Sequence, residues 1–545
     1  MTGLFAAPGP RIFGVPPGED FAARLAEGLF ARLDGAPPEA LAGVEIAMPT
    51  GRLRRATQAV FEARGDFVFL PRLTPLAEFA AGRSEGPPAV APLARRLRLA
   101  RLVAGLLEAR PDLGGAGAAA ALPLGQALGD LLDEFGRQDL PLSALRGLAP
   151  EAEAGSDHWR RALEFLGLVA EVWPRALAAD PAERESEALR REDAEALLAD
   201  WAAAPPVRPI LAAGSSGSTA STARLLEGVA RLPQGAVILA GFDFALDAAG
   251  WRAVGPEHPQ WGHKGLLERL GLDAAAVAPW VEGLAGGPRA RLLSAALRPA
   301  PATDAWLEAL PRLATEARAA TEGLELVEAE NAQREAEAIA LAMREGLAEV
   351  PGAVALVTPD RGLARRVAAE LRRFDLVADD SAGAKLKATG PGRLAALAAD
   401  LLCRPFDGPT LLALLKHPMV AADADPAERR AALKRLEAKG LRRRAAALRL
   451  GSVAALLAAE AVGEGGAKAP LVAPPLRPAL AALAPLEGAA PLADLVRAFR
   501  ARLAILADAT FAEGRQGEAV AAALDAFQAA AAELGLALPA DIPVI

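Results

Sequence analysis

At 545 residues the chain exceeds what one hydrophobic core serves, so roughly three or four compact units are expected. With 52% apolar and 23% charged residues, and with Gly and Pro scattered as punctuation, it is neither a disordered nor a low-complexity chain. The net charge of −8 excludes an all-over basic coat but not a local basic track, and a single cysteine, Cys403, excludes an internal disulfide or a thiolate cage for zinc or an iron–sulfur cluster.

The first twenty residues lack a basic n-region and are interrupted by Pro8, Pro10, Pro16 and Pro17, so no signal peptide is read. No unbroken apolar run reaches the roughly 20 residues of a membrane span. A cytoplasmic protein without membrane attachment is expected.

The run Ile12-Phe13-Gly14-Val15 predicts a strand, and apolar residues at helical spacing over 21–33 predict the helix that follows. The pattern recurs as a strand over 44–48, an Arg-studded helix over 51–64 and a strand at Phe67-Val68-Phe69-Leu70. Strands separated by single helices imply a doubly wound parallel sheet. From about 92 to 203 the strand signal disappears, which predicts a helical insertion broken at Pro111, Pro141, Pro150 and Pro174. Strands return at Pro209-Ile210-Leu211-Ala212-Ala213 and over 236–240, completing a first lobe over 1–300.

The Pro- and Ala-rich passage 297–303 reads as a linker into a second α/β lobe over 301–400. Its expected elements are a strand over 324–327, a helix over 332–347, a strand over 353–357, a helix over 362–373 and a strand over 376–378. After Gly392 the sequence reads as Ala/Leu/Arg-rich helix to the end, with Gly and Pro breaks near Gly463 and over 469–478, so 401–545 is expected to be a helical insertion of that lobe.

A phosphate-binding loop, G-x-x-x-x-G-K-[ST], supplies backbone amides, a lysine and a hydroxyl to a nucleotide and its Mg²⁺. It occurs nowhere in this chain. After the first strand stands Gly14-Val15-Pro16-Pro17-Gly18-Glu19-Asp20, where prolines remove amide donors and acids replace the lysine. The chain is therefore expected not to hydrolyse ATP by itself, and neither catalytic nor cofactor-binding residues are assigned.

Other motifs are weaker. Asp133-Glu134 imitates metal-binding acids but sits in a helical pattern, which favours a solvated face. Gly214-Ser215-Ser216-Gly217-Ser218-Thr219 leads from a strand into a helix and is either an anion site or a Ser/Thr cap. His258 and His263 are spaced by five, which suits turn residues better than metal ligands. Glu437-Ala438-Lys439 fits half of a restriction-type nuclease motif but lies in a helical run. No metal site is assigned. Three basic segments qualify as DNA-backbone contacts or as solvated helix faces: Thr50 with Arg52, Arg54 and Arg55; Arg361 with Arg365; and Arg435, Arg442 and Arg443 within the run 429–449. That last run holds nine Lys/Arg against one acid. All seven tryptophans fall between Trp159 and Trp306 without the spacing of a base-stacking platform and read mostly as core.

Several phrases resemble the AddB family of bacterial helicase–nuclease complexes, in its alphaproteobacterial form. They are Phe69-Leu70-Pro71-Arg72-Leu73-Thr74-Pro75-Leu76, Ala213-Gly214-Ser215-Ser216-Gly217-Ser218, Arg231-Leu232-Pro233-Gln234-Gly235 and His258-Pro259-Gln260-Trp261-Gly262. Further along come Glu335-Ala336-Glu337-Ala338-Ile339-Ala340, Ala355-Leu356-Val357-Thr358-Pro359-Asp360-Arg361, Asp379-Asp380-Ser381-Ala382-Gly383 and Leu415-Lys416-His417-Pro418. Together they span most of residues 10–420.

The resemblance implies two superfamily 1 helicase-like (RecA-like) lobes with large helical insertions. It implies DNA as ligand, a partner motor-nuclease subunit AddA that binds ATP, and work on double-strand breaks for recombinational repair. By the same analogy Thr50 touches single-stranded DNA, and Thr358 stands where an active motor carries a nucleotide-contacting arginine. The iron–sulfur cluster and Mg²⁺ of the family belong to a C-terminal nuclease domain, for which this chain has neither the cysteines nor the acids; the sequence is expected to stop inside the helical insertion of the second lobe. Two other readings stand beside this one: a two-lobed nucleotide-sugar transferase, which also pairs doubly wound domains, and a purely structural subunit whose basic stretches meet only protein.

Overall fold

The computed structural model describes residues 4–5, 9–63, 69–110, 120–148, 157–178, 183–349, 354–403, 406–442, 452–462, 468–483, 490–507, 511–535 and 537–538. They form a helix-rich α/β protein that divides into two compact units, residues 1–90 with 127–324 and residues 91–126 with 325–545.

The first unit is built on β1 (Ile12–Val15), α1 (Phe21–Arg32), β2 (Glu45–Met48), α2 (Gly51–Glu62) and β3 (Arg72–Pro75). The helices α3 (Pro92–Ala109), α4 (Ala121–Arg137), α5 (Asp157–Ala178) and α6 (Ser186–Ala203) fill the stretch expected to be helical. Of these α3 belongs to the second unit. Then follow β4 (Ile210–Ala213), α7 (Ala220–Arg231), β5 (Gly235–Ala240), α8 (Ala248–Ala253), α9 (Trp261–Leu270), β6 (Ala278–Pro279), α10 (Pro288–Ala296) and α11 (Trp306–Thr321).

The six strands make one wholly parallel sheet in the order β3-β2-β4-β5-β1-β6. A parallel sheet needs cover on both faces, and its strands therefore read as unbroken apolar runs. Alternate residues divide accordingly. Ile210, Ala212, Val237 and Leu239 pack with Leu226 and Val229 of α7 and Leu266 and Leu270 of α9. Leu211, Ala213, Ala236 and Ile238 pack on the other side with Leu25 and Leu29 of α1 and Phe61 of α2. The two edge strands are the ones that carry proline, Pro75 and Pro279, where a missing N–H costs no ladder bond. Gly28 of α1 admits the Trp280 indole, since a Cβ there would stand 2.3 Å from Nε1. That indole N–H donates to the Leu25 carbonyl at 3.1 Å.

Two expectations are corrected in this unit. The edge strand forms at Arg72–Pro75 and not at 67–70: Phe69 and Leu70 are exposed, and Phe67 and Val68 lie outside the described residues. The β3 register pairs Leu73 with Ile46 and Thr74 with Ala47, because only this stretch sets half-buried residues against β2. The presumed linker at 297–303 is a packed corner, in which the turn of 3₁₀ helix Ala300–Ala305 joins α10 to α11 and Arg298 donates to the Ala302 carbonyl at 2.5 Å.

The second unit contains α12 (Ala332–Glu349), α13 (Arg361–Leu371), α14 (Gly390–Cys403), α15 (Gly408–Leu415) and α16 (Pro426–Arg435), which runs into a π-helical turn at Leu436–Leu441. Beyond these lie α17 (Val453–Ala458), β7 (Glu460–Val462), β8 (Lys468–Pro470), α18 (Arg477–Ala482), β9 (Ala490–Pro491), α19 (Leu492–Leu506), α20 (Gly514–Glu533) and β10 (Ala537–Leu538). Its core is Leu-rich and helical, with Leu394, Leu411, Leu414, Leu436, Leu480 and Leu503 buried together. The insertion helix α3 packs against α20, and Arg98 pairs with Glu533 at 2.6 Å.

The strands expected at 324–327, 353–357 and 376–378 are not paired among the described residues; Ala353 lies outside them. Leu356 and Leu376 rest on the cluster formed by α12 and α13, while Val357 and Val377 on the opposite side are 92% and 91% exposed. The runs at Leu356 and Leu376 are covered on one face only, and Leu324, Leu326 and Val327 are exposed, which leaves out half or more of the packing that closes a parallel ladder. The stretch after Gly392, expected to be helix apart from breaks near Gly463 and over 469–478, also carries short strands: β7 pairs with β8 and β9 with β10, both antiparallel.

Candidate nucleic-acid interface

All six strands are parallel, so the loops that follow them gather along one rim of the sheet. In open α/β sheets ligands bind at that carboxyl edge.

After β1 the rim is closed by acid. Asp20 caps α1, its Oδ1 accepting the Ala23 N–H at 3.1 Å, and Glu19 bridges Arg24 at 2.8 Å. Arg24 also holds Glu27 at 2.7 Å. The helix amino end that would cradle a phosphate already carries the chain's own carboxylate, and Pro16 and Pro17 offer no N–H beside it.

After β2 the rim is basic. Thr50, extended at φ −136°, caps α2 by accepting the Leu53 N–H at 3.2 Å. The first turn of α2 carries Arg52 and Arg55, both exposed, and the half-buried Arg54. Among the described residues neither Arg54 nor Arg55 meets a carboxylate, and Nε of Arg54 is buried without a hydrogen bond. The four residues predicted here are thus adjacent on one helix start.

After β4 comes the Gly/Ser loop, which bends at Gly214 and Gly217, with φ of +84° and +73°. Gly214 lies against Leu53 of α2, where a Cβ would come within 2.7 Å. Thr219 caps α7 through the Thr222 N–H at 3.3 Å and donates to Thr222 Oγ1 at 2.8 Å, while Ser215 Oγ accepts the Gly217 N–H at 3.3 Å. Capping therefore accounts for Thr219, and Ser216 and Ser218 remain on the rim.

After β5 the chain is locked by Gln260, a role not legible from sequence. Its Nε2 donates to the Gly241 carbonyl at 2.8 Å, and its Oε1 accepts the Asp243 N–H at 3.2 Å and lies 2.9 Å from His263 Nδ1. His258 Nδ1 accepts the Gln260 N–H at 3.1 Å. His263 is buried in the first turn of α9, against Phe242, and burial pushes its pKa down to about 4. The two histidines hold a corner, with His263 inside a helix and not in a turn. Among the described residues no group of three or more His, Cys, Asp or Glu is placed to hold a metal ion.

In the second unit three of the predicted residues, Arg361, Arg365 and Arg442, are engaged in the fold. Arg361 grips Asp380 with two bonds of 3.0 and 2.6 Å and donates to the Gly383 carbonyl at 3.2 Å. These bonds raise its pKa. Arg365 donates to the Arg361 carbonyl at 3.1 Å. Asp360 caps α13, and Thr358 Oγ1 accepts the Asp360 N–H at 3.0 Å. In the basic run Arg429 donates to the carbonyls of Leu415 and His417, and Glu437 takes both Lys416, at 2.7 Å, and Arg442. The half-motif at Glu437 is thus two ion pairs on a helical turn. Arg435 is exposed, and Arg443 lies outside the described residues.

The class these features define is a helix-rich α/β protein on a six-stranded parallel sheet, with its phosphate corner closed and a basic helix start on the same rim. Compared with known families and curated proteins, the chain matches no family model and no curated protein. Among the described residues no helix is long and apolar enough to cross a membrane.

Proposed function

We propose that the chain is a DNA-binding, ATPase-inactive, helicase-like subunit of the AddB kind, which guides a DNA strand beside a partner motor-nuclease subunit AddA during the processing of double-strand breaks. The observation that carries this reading is the contrast along one rim. The corner after β1 is filled by Asp20 and Glu19, whereas the start of α2 presents Arg54 and Arg55 without acidic partners among the described residues. Phosphate groups of a nucleotide are repelled at the first place, and phosphate groups of a DNA backbone are attracted at the second. In this reading residues 332–378, two helices with the apolar runs of Leu356 and Leu376 packed on them, begin a second lobe.

The strand order also supports it over a nucleotide-sugar transferase. A Rossmann sheet runs 3-2-1-4-5-6, with its first strand between the second and the fourth. Here β1 lies between β5 and β6.

Fluorescence anisotropy with single-stranded DNA across a salt series tests the proposal. Affinity is expected to fall steeply with salt, as phosphate contacts require. Absence of binding at low salt, with and without AddA, would overturn it.

A further inference from the structure

Trp261 stands apart from the other described tryptophans, of which Trp201 is half-buried against Phe79. Trp173, Trp251 and Trp280 are buried. Trp306 is 43% exposed, but its indole N–H donates to the Ala295 carbonyl at 2.7 Å. Trp261 is equally exposed, and its N–H has no partner among the described residues. An indole is a large apolar surface that folding ordinarily buries or ties down by its N–H.

Its mount is rigid. The preceding residue, Gln260, is bonded to Gly241 and Asp243 at the end of β5. The following residue, Gly262, presses on the Gly/Ser loop so closely that a Cβ would stand 2.7 Å from Ser216 Oγ. The same loop touches Leu53 of α2 at Gly214, so Trp261 and the arginine-bearing start of α2 flank one loop. One turn along α9, the Lys264 ammonium lies 5.9 Å from the Trp261 ring centroid, anchored by the carbonyls of Arg252 and Val254 at 2.9 and 3.0 Å.

We propose that Trp261 is a base-stacking platform for single-stranded DNA, with the α2 arginines contacting the phosphates beside it. The assignment rests on the DNA-binding reading above and adds to it a contact with the bases. Every nucleobase offers a π face, so the platform is indifferent to sequence. An aromatic ring held in place before the strand arrives loses little freedom on stacking.

The test uses the full chain and two labelled strands of equal length, one of thymidines and one of abasic phosphodiester. W261A is expected to weaken binding to the thymidine strand about tenfold, to leave the abasic strand unaffected and to keep the salt slope of the wild type. W261F retains most of the affinity, and W261L, which keeps bulk without a π face, behaves as W261A does, so a folding defect in one variant does not decide the outcome. If the wild type binds thymidines and W261A and W261L bind them equally well, or lose the abasic strand to the same extent, the stacking role is overturned while DNA binding stands. If the wild type binds neither strand at low salt, both readings fall together.

Discussion

Asp20 accepts the backbone N–H of Ala23 at 3.1 Å, so the amino end of α1 is closed by a carboxylate from the chain itself. A helix amino end carries roughly half a positive charge, which a capping acid neutralises and a phosphate would otherwise seek. Millimolar MgATP is therefore expected to leave the melting temperature unchanged, since a ligand that binds the native state raises it. Removing the acid does not restore the site, because Pro16 and Pro17 still lack amide donors. D20S keeps the cap and should melt as the wild type does. D20A should lose about 1 kcal/mol. A thermal shift with MgATP in any of the three would contradict the closed-corner argument.

The arginines of the rim make a separate prediction about salt. Each phosphate contact releases counterions and adds about one unit to the slope of log affinity against log salt. On single-stranded DNA, where each contact adds about 0.7, R54Q/R55Q should lower that slope by about 1.4 and weaken binding equally for all sequences. R361Q should change it little, because Arg361 is spent on Asp380 and on the turn at Gly383. The comparison is read from titrations at several salt concentrations, and an equal loss of slope in R361Q would return the second unit to the interface.

Most of the first sheet was legible because its strands are buried on both faces. Ile12–Val15 read as an apolar run and formed a strand with the expected bounds, and the run read from Pro209 formed a strand one residue shorter, at Ile210–Ala213. Asp20, Thr50 and Thr219 cap their helices, and of these only the Ser/Thr cap in the loop 214–219 was read from the sequence. The third strand was misplaced because Phe67-Val68-Phe69-Leu70 is the more apolar run, whereas the edge position accepts the mixed sequence Arg72-Leu73-Thr74-Pro75. The runs around Val357 and Val377 carry the same apolar signal as true strands but have cover on one side only, a property of neighbours that no local pattern contains. The site was legible as far as Thr50 and the α2 arginines. Gln260 was invisible because its three partners come from two sides of a corner, and the exposure of Trp261 follows from what does not pack over it.

A buried carboxylate outside the rim gives a prediction about local stability. Asp193 of α6 accepts the N–H groups of Gly82, Arg83 and Ser84 at 3.2, 3.1 and 2.7 Å, and the Ser84 hydroxyl at 2.7 Å. Burial pushes its pKa up, but the hydrogen bonds outweigh burial and hold it below the ordinary value. D193A leaves three amides without their acceptor, a cost on the order of 3 kcal/mol. Hydrogen exchange at Gly82–Ser84 should accelerate about a hundredfold, while amides in β4 and β5 keep their protection. Unchanged exchange in this loop would show that Asp193 does not anchor it.

His263 supplies a pH dependence whose sign follows from its burial. Its pKa is about 4 in the folded chain against 6.5 when exposed, because an imidazolium beside Phe242 and Gln260 would lose its hydration. Between these values the unfolded chain binds a proton that the folded chain does not. The stabilisation is therefore complete above pH 6.5 and drains away as pH falls toward 4, by about 3 kcal/mol in all. His417 in the second unit, also lowered chiefly by burial, contributes in the same direction. The part due to His263 is isolated by H263Q, which has no imidazole to protonate. The variant should melt lower than the wild type at neutral pH, and the gap should narrow as the medium is brought from about pH 7 to 5, above the range where most carboxylates titrate. A gap of constant width across that range would mean that His263 accepts its proton without leaving the corner.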